Sequence, residues 1–338
     1  MNNSLASYIL AVYVMIFACA GCGGSDNTSF NEGTDILKKS IFAALNDSIR
    51  QYPKDADLYL RRAVLLSRID AHEIANADYK KSWQLNPSKE IALQYAANLA
   101  IIGKPVERLK LLQDCIYKFP NTPEFKRLTG EAYIGAGKSK MALDLYNNLL
   151  KKDSLDFEAW YEKGLLLEQL HDTAQALIAL KKAYILQPMN TYALELAHIY
   201  AETRNPAALQ ICDDVIRNDF ARELVDPFFI KGIYYANTQQ YSFAVVQFDS
   251  CIRRDWKFTE AYIEKGIAFF KQKNYDEALS TFQLAATVSN SDADAYYWIG
   301  RCYEISNKKD EARIYYEKAV TLDKNFTEAR EALKRLRG

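Results

Sequence analysis

The sequence has few of the residues that interrupt helices and few that build metal sites. Its 338 residues include only 13 glycines, 8 prolines and 3 histidines, and alternation of polar and apolar residues is scarce. This composition favours helices over strands. The 43 basic and 43 acidic residues cancel, so no net charge draws the chain toward nucleic acid or an anionic membrane surface.

The residue types that carry catalysis are present without the arrangements that catalysis needs. The histidines His72, His171 and His198 share no spacing typical of metal ligands. No serine or cysteine can be placed with a histidine and an acid as a nucleophilic triad. We therefore predict no catalytic residue, no metal site and no cofactor, and we do not expect an enzyme.

Two further features have a structural explanation. Residues 132–139, AYIGAGKS, satisfy a relaxed phosphate-loop pattern, but Gly137 falls at an expected turn between helices, whereas a phosphate loop follows a buried strand. Cys115 and Cys251 fall at a small, buried helix position. We expect Gly137 to serve the turn and both cysteines to be buried and free.

The N-terminus carries a predicted targeting signal. Residues 5–21, LASYILAVYVMIFACAG, are uncharged, too short to favour a membrane-spanning helix and typical of a signal-peptide core, which predicts a signal peptide over residues 1–21. The run ends just before Cys22, and Ala20-Gly21-Cys22 resembles the bacterial lipobox. The resemblance implies that Cys22 becomes the lipidated first residue of the mature protein, anchored by palmitate. An ordinary cleaved signal and an uncleaved anchor are the alternatives.

A tether is predicted over residues 22–35, because GGSDNTSFNEGTD is small, acidic and free of basic residues. Gly23 follows the lipobox cysteine, in place of the aspartate that retains many lipoproteins in the inner membrane. The resemblance therefore implies a cell-envelope protein that is lipid-anchored to the outer membrane, on its periplasmic or its surface side.

The clearest element is residues 160–188, WYEKGLLLEQLHDTAQALIALKKAYILQP, which read as two short helices joined by a polar turn. The small residues Gly164 and Ala176 let the helices approach closely, and Trp160, Leu167 and Leu180 fill the space around that contact. This spacing resembles the tetratricopeptide repeat, a unit of about 34 residues. One unit cannot bury its apolar face alone, so copies should follow on both sides.

The small residue of the first helix recurs at intervals of 33 to 35 residues along most of the chain. It recurs at Ala63, Ala96, Gly130, Gly164, Ala197, Gly232, Gly266 and Gly300. The resemblance implies an all-α fold, a right-handed α-α superhelical solenoid of helix-turn-helix repeats. We predict a leading helix over residues 34–55, eight repeats over 56–324 and a capping helix over 325–338. The second repeat, with Arg108 at a small position, and the fifth, with a long exit over 218–227, are irregular.

The resemblance places side chains of the first helix of each repeat on a concave groove. The predicted protein-binding residues are Arg127, Tyr161, Leu165, Phe229, Ile233, Ile263, Ile267, Phe270, Tyr297 and Arg301. Most are apolar or aromatic, types that anchor interfaces. Alternatively, some of them pack against the next repeat.

The function implied by these resemblances is a lipid-anchored scaffold or adaptor that binds a partner protein or peptide in its groove, in outer-membrane or envelope complex assembly. Neither nucleic acid nor a small-molecule substrate is expected as a partner. The alternatives are a structural or self-associating surface lipoprotein and, least favoured, an enzyme with an unrecognised site.

Overall fold

The computed structural model describes residues 36–337, so the predicted signal peptide, the lipidation site Cys22 and the tether lie outside the described residues. Within this range there are eighteen helices and no strand, which confirms the predicted all-α fold class. The helices are α1 (Ser40–Gln51), α2 (Ala56–Ser67), α3 (His72–Leu85), α4 (Lys89–Ile101), α5 (Pro105–Lys118), α6 (Pro123–Gly135), α7 (Ser139–Lys152), α8 (Phe157–Gln169), α9 (Thr173–Leu186), α10 (Asn190–Glu202), α11 (Ala207–Asn218), α12 (Asp226–Asn237), α13 (Tyr241–Arg254), α14 (Thr259–Lys271), α15 (Tyr275–Val288), α16 (Ala293–Ile305), α17 (Lys309–Leu322) and α18 (Thr327–Arg337). None of these helices is both long and apolar enough to cross a membrane.

The chain divides into two compact units, residues 1–183 and 184–338, with the division inside α9. Within each unit the helices pack in consecutive pairs. In the first unit α2 packs on α3 and α6 on α7, and in the second unit α12 packs on α13, α14 on α15 and α16 on α17. We call the even-numbered first member of a pair helix A and the odd-numbered second member helix B.

The turn between helix A and helix B has one recurring conformation. Each contains one residue in the left-handed region, with φ between 56° and 70°. These residues are Asp70, Gly103, Gly137, His171, Arg204, Gln239, Lys273 and Asn307. The residue after it donates its backbone N–H to the carbonyl oxygen five residues earlier, as Asp172 does to Leu167 at 2.9 Å. This hydrogen bond caps the C-terminus of helix A. Gly137 therefore ends a helix, and its assignment to a turn is confirmed.

The helices of a pair approach most closely where a small residue faces a large one. At Gly164 on α8, an added Cβ would lie 2.6 Å from Cγ of Leu180 on α9. Leu180 and Ala176 are fully buried. The predicted role of Gly164 in close helix approach is confirmed, because any larger side chain would displace Leu180.

The irregular second and fifth repeats differ in how they depart from the pattern. In the second, the Arg108 side chain extends from α5 to Glu131 on α6, where its Nη2 donates to the carboxylate at 2.6 Å. In the fifth, residues 219–225 form a longer connection between α11 and α12. Asp219 stabilises this loop by accepting the Leu224 N–H at 3.0 Å, and Arg222 adopts a φ of 59°.

The cysteines of the repeats belong to the core. Cys115, Cys212, Cys251 and Cys302 are buried and free, which confirms the expectation for Cys115 and Cys251. Burial raises the pKa of each of these thiols to about 12. A buried, protonated thiol packs as a small apolar group and is a poor nucleophile.

The terminal helices cover the ends of the described chain. Phe42 of α1 is fully buried in the core of the first unit. At the other end, Ala332 and Leu333 of α18 pack against Ala312 and Tyr316 of α17. Both contacts remove apolar surface from water at the two ends of the described repeats.

Candidate protein-binding face

The predicted groove residues all lie on helix-A members of the pairs. In the first unit, Arg127 lies on α6, and Tyr161 and Leu165 lie on α8; in the second unit, the other seven lie on α12, α14 and α16. We call the side of these helices that carries the predicted residues the groove face of each unit.

Three of the seven residues in the second unit belong to the core. Phe229, Ile233 and Ile263 are only 5%, 3% and 8% exposed, so their assignment to an open groove is wrong. The Phe229 ring lies 5.0 Å from the ring of Phe258 and 5.7 Å from that of Phe248, centroid to centroid. Phe258 immediately precedes α14, so Phe229 packs against the following repeat, as the alternative interpretation held.

The remaining four residues of the second unit, Ile267, Phe270, Tyr297 and Arg301, are half-buried. The Phe270 ring meets Trp298 edge-on, with centroids 5.3 Å apart. The Arg301 guanidinium lies 5.5 Å from the Phe270 centroid and donates a hydrogen bond to the Tyr297 hydroxyl at 3.1 Å. Aromatic and cation–π contacts thus hold a rigid, partly exposed platform on α14 and α16.

Acidic side chains lie on the same helices of the second unit. Burial, together with repulsion from Glu202 and Asp294, raises the pKa of half-buried Glu264 on α14 to about 7. Burial also raises the pKa of Glu260, one turn earlier, and the nearby carboxylate of Asp292 adds to this effect. The groove face of the second unit therefore combines an aromatic platform with partly desolvated negative charge.

Arg127 in the first unit is engaged in a link between two helices. Its Nη1 lies 3.1 Å from Oδ2 of Asp156, and its guanidinium also pairs with Glu158 on α8. Asp156 additionally caps α8 by accepting the Ala159 N–H at 2.9 Å. Arg127 therefore stabilises the packing of α6 against α8 more than it offers a free cation to a ligand.

Glu162 is the most perturbed carboxyl group of the first unit. It lies on α8 between the predicted groove residues Tyr161 and Leu165, and it is half-buried. Burial raises its pKa to about 7; repulsion from Glu131 and Glu158 acts in the same direction, and attraction to Arg127 opposes it. Desolvation thus outweighs the nearby arginine at this site.

Two buried polar atoms near Glu162 have no hydrogen-bond partner among the described residues, the Tyr146 hydroxyl and Arg108 Nε. Tyr146 of α7 is fully buried, and a Cβ added at Gly130 of α6 would lie 2.6 Å from its hydroxyl oxygen. Burial raises the pKa of this phenol, and repulsion from Glu162 and Glu131 adds to the shift. The hydroxyl therefore lies beneath the groove face among charged groups.

No group of three or more histidine, cysteine, aspartate or glutamate side chains within residues 36–337 is arranged to hold a metal ion.

Comparison with known proteins identifies the repeats. A family model for the tetratricopeptide repeat matches residues 127–191 and 263–325. These two ranges match the tetratricopeptide repeat. Each matched range covers consecutive helix pairs, including α8–α9 in the first and α16–α17 in the second.

Two solved structures have a similar fold. A tetratricopeptide repeat protein from Parabacteroides merdae superposes with a TM-score of 0.62 at 18% identity, over 74% of this chain and 98% of that chain. PilW, described as a type IV pilus biogenesis factor, superposes with a TM-score of 0.55 at 15% identity, over 63% of this chain and 99% of that chain. These likenesses confirm the predicted solenoid class of helix-turn-helix repeats, a scaffold fold consistent with protein–protein interaction.

Among curated proteins, the chain is 36% identical over 67 residues to a Bos taurus protein called "Protein SGT1 homolog", a match that covers 20% of each chain. The chain spans about a fifth or less of the length of the curated relatives it matches.

Sequence reasoning missed the charged side chains of the tetratricopeptide repeats that lie on the groove face, Glu162 and Glu264 above all. Each lies two residues before the small residue of its helix A, Gly164 or Gly266, but this position alone does not show that a glutamate is buried. From sequence alone, a charged residue on a helix is expected to face solvent. Glu131, Glu202, Asp294 and the buried Tyr146 hydroxyl come from other helices, and only the fold brings them close to Glu162 or Glu264.

Proposed function

We propose that this protein is a scaffold that binds a partner protein or peptide on the groove face of its tetratricopeptide repeats. The observation that carries the proposal is the platform of Ile267, Phe270 and Tyr297 with Arg301, which stays half-buried within the second unit. Aromatic and arginine side chains in rigid, partly exposed sites are the groups that anchor protein interfaces. Tetratricopeptide repeat proteins are in general scaffolds without enzymatic activity, and no catalytic role is proposed.

A photoreactive amino acid at Ile267 tests this proposal in cells. The matched control is the same amino acid at Gln283, an exposed position of α15 away from the platform. We expect a cross-linked partner, identified by mass spectrometry, from position 267 and not from position 283. Equal cross-linking from both positions would contradict a binding role for the groove face.

We further propose that the scaffold is lipid-anchored in the cell envelope, facing the periplasm or the surface from the outer membrane. Support comes from the apolar run of residues 5–21 and the sequence Ala20-Gly21-Cys22. The similar fold of PilW, described as a pilus biogenesis factor, is in keeping with a role in envelope complex assembly. Labelling with a palmitate analogue should mark the wild-type chain and not the Cys22→Ser variant; equal labelling of both would exclude this anchor.

A further inference from the structure

Glu162 is a half-buried acid without a cation of its own. It makes no hydrogen bond or ion pair within the part of the chain that the structure describes, and burial disfavours its charged form. The nearby arginines are engaged elsewhere: Arg108 binds Glu131 at 2.6 Å, and Arg127 binds Asp156 at 3.1 Å. A carboxylate held in this state lowers its free energy when a positive group binds beside it.

The charges around Glu162 do not balance. Two arginines and four acidic side chains lie close together around Glu162. We call these six residues, together with Tyr146, the acidic cluster. The acids are Glu131, Asp156, Glu158 and Glu162, and the arginines are Arg108 and Arg127. The cluster therefore carries net negative charge. Glu131 and Glu158 are exposed, whereas water screens the half-buried Glu162 and the buried Asp156 side chain less.

The Tyr146 hydroxyl is a second and independent sign of an incomplete site. Tyr146 is fully buried, and its hydroxyl has no hydrogen-bond partner among the residues that the structure describes. Leaving such a group unpaired costs about 1–3 kcal/mol. The charges that act on the pKa of this phenol are those of the cluster, including Glu162, Glu131 and Arg108. The buried hydroxyl can donate to a carboxylate of the cluster that turns toward it.

We propose that the acidic cluster binds a lysine or arginine side chain of the partner segment, with Glu162 as its counter-charge. This inference rests on the proposed function and adds the chemistry of the partner. Tyr161 and Leu165 lie beside Glu162 on α8, with Leu165 one helical turn away. The partner segment is accordingly one that carries a basic side chain next to apolar ones.

The second unit repeats the arrangement. Glu264 occupies the same place in its helix A, two residues before Gly266, and it is half-buried near Glu202 and Asp294. Half-buried Ile267 lies one turn after Glu264, as Leu165 lies one turn after Glu162. The same combination of desolvated acid and apolar neighbour thus occurs in each unit, which fits a partner with more than one basic side chain.

Fluorescence anisotropy with model peptides tests the inference on the full chain in non-ionic detergent. The probe is a fluorescein-labelled peptide of alternating lysine and alanine, and its matched control replaces lysine by glutamate. We expect the lysine peptide to bind and the glutamate peptide not to bind. Glu162→Gln should lower the affinity for the lysine peptide about tenfold, because it removes a charge-assisted contact and keeps the shape of the side chain.

A charge-matched variant separates this site from general attraction between opposite charges. Asp144→Asn removes one negative charge from an exposed position of α7, and it should leave the affinity within about twofold of wild type. Equal binding by Glu162→Gln and wild type, or equal weakening by Asp144→Asn and Glu162→Gln, would overturn the inference. If the peptide test fails while cross-linking from position 267 persists, the proposed function stands and only the partner chemistry is wrong.

The pH dependence gives a further readout of the same site. The groups that face Glu162 are Glu131 and Arg127 of α6, Glu158 of α8 and Tyr146 of α7, with Arg108 of α5 bound to Glu131. Wild-type affinity should fall as the pH drops from 8 to 6, because Glu162 takes up a proton in this range. The Glu162→Gln variant should show a flatter profile; identical profiles would count against Glu162 as the counter-charge.

Discussion

Arg335 donates a hydrogen bond to each carboxylate oxygen of Glu304, both at 2.9 Å. Arg335 lies on α18 and Glu304 on α16, and the same carboxylate accepts the Tyr316 hydroxyl of α17 at 2.6 Å. One acid thus joins the last three helices of the chain. These contacts hold the pKa of Glu304 below its usual range, although its partial burial acts in the opposite direction.

Removing the hydrogen bonds between Arg335 and Glu304 should weaken the packing of α18 on the rest of the chain. Because the Arg335 side chain is more than half exposed, we expect Arg335→Ala to cost only about 0.5–1 kcal/mol of stability. Local opening should nevertheless rise, and hydrogen exchange of the α18 amides should become several-fold faster. Arg330→Ala is the matched control, since Arg330 is an exposed arginine of the same helix. Unchanged exchange in Arg335→Ala would show that apolar packing alone holds α18.

The pKa of Glu304 also predicts a direction for the effect of pH. A carboxyl group with a lowered pKa in the folded state stabilises the protein above its unfolded pKa of about 4.3. This contribution is lost as the pH falls through the lower pKa of the folded state. Protection of α18 should therefore decrease in acid, and Glu304→Gln should reduce that dependence.

Gly164→Ala should destabilise the first unit. The added methyl group would lie 2.6 Å from Cγ of fully buried Leu180, so α8 and α9 must separate or Leu180 must leave its rotamer. Overpacking of this kind costs about 1–3 kcal/mol. The control is Gly135→Ala on α6, where an added Cβ meets nothing within 4 Å. Chemical denaturation should show a lower free energy of unfolding for Gly164→Ala and one higher by up to about 1 kcal/mol for Gly135→Ala.

The helix pairs could be predicted because their close contact needs a small residue at a fixed place. Gly164 and its counterparts recur regularly, and the all-α class with its repeats followed from them. The exposure of the groove residues could not be predicted in the same way. Sequence position places Phe229 on one side of its helix. Its burial results from contact with the rings of Phe258 and Phe248, which the sequence does not show.

The desolvated acids were beyond sequence reasoning for a related reason. A glutamate on a helix is normally solvated, and nothing in the local sequence of Glu264 distinguishes it from an exposed one. Its pKa depends on burial and on Glu202 and Asp294, which belong to α10 and α16. Only packing of separate helices brings these groups together.

Glu264→Gln should stabilise the protein in a pH-dependent way. The pKa of Glu264 is raised to about 7 in the folded state, whereas an unfolded chain has a value of about 4.3. The folded state is therefore disfavoured above pH 4.3, increasingly up to pH 7 and fully above it. We expect Glu264→Gln to gain about 1–2 kcal/mol of stability at pH 8.5 and about a quarter of that at pH 5.

Urea unfolding at both pH values measures this difference. Glu277→Gln removes an equal charge from an exposed position of α15 and should change stability by less than about 0.5 kcal/mol at either pH. A gain for Glu264→Gln that is equal at pH 5 and 8.5 would show that the cause is not ionisation.

Two tyrosines at the same place in their repeats should respond oppositely to loss of the hydroxyl. Tyr146 and Tyr316 are both fully buried on helix B, but the Tyr146 hydroxyl has no partner among the described residues and that of Tyr316 donates to Glu304 at 2.6 Å. Tyr316→Phe should lower the free energy of unfolding by about 1–2 kcal/mol, since it removes a hydrogen bond to a charged acceptor. Tyr146→Phe should be neutral or gain about 1 kcal/mol, because an unpaired polar group leaves the core. Thermal unfolding of both variants measures these changes in stability. An equal loss of stability in both would mean that the Tyr146 hydroxyl is hydrogen-bonded in solution.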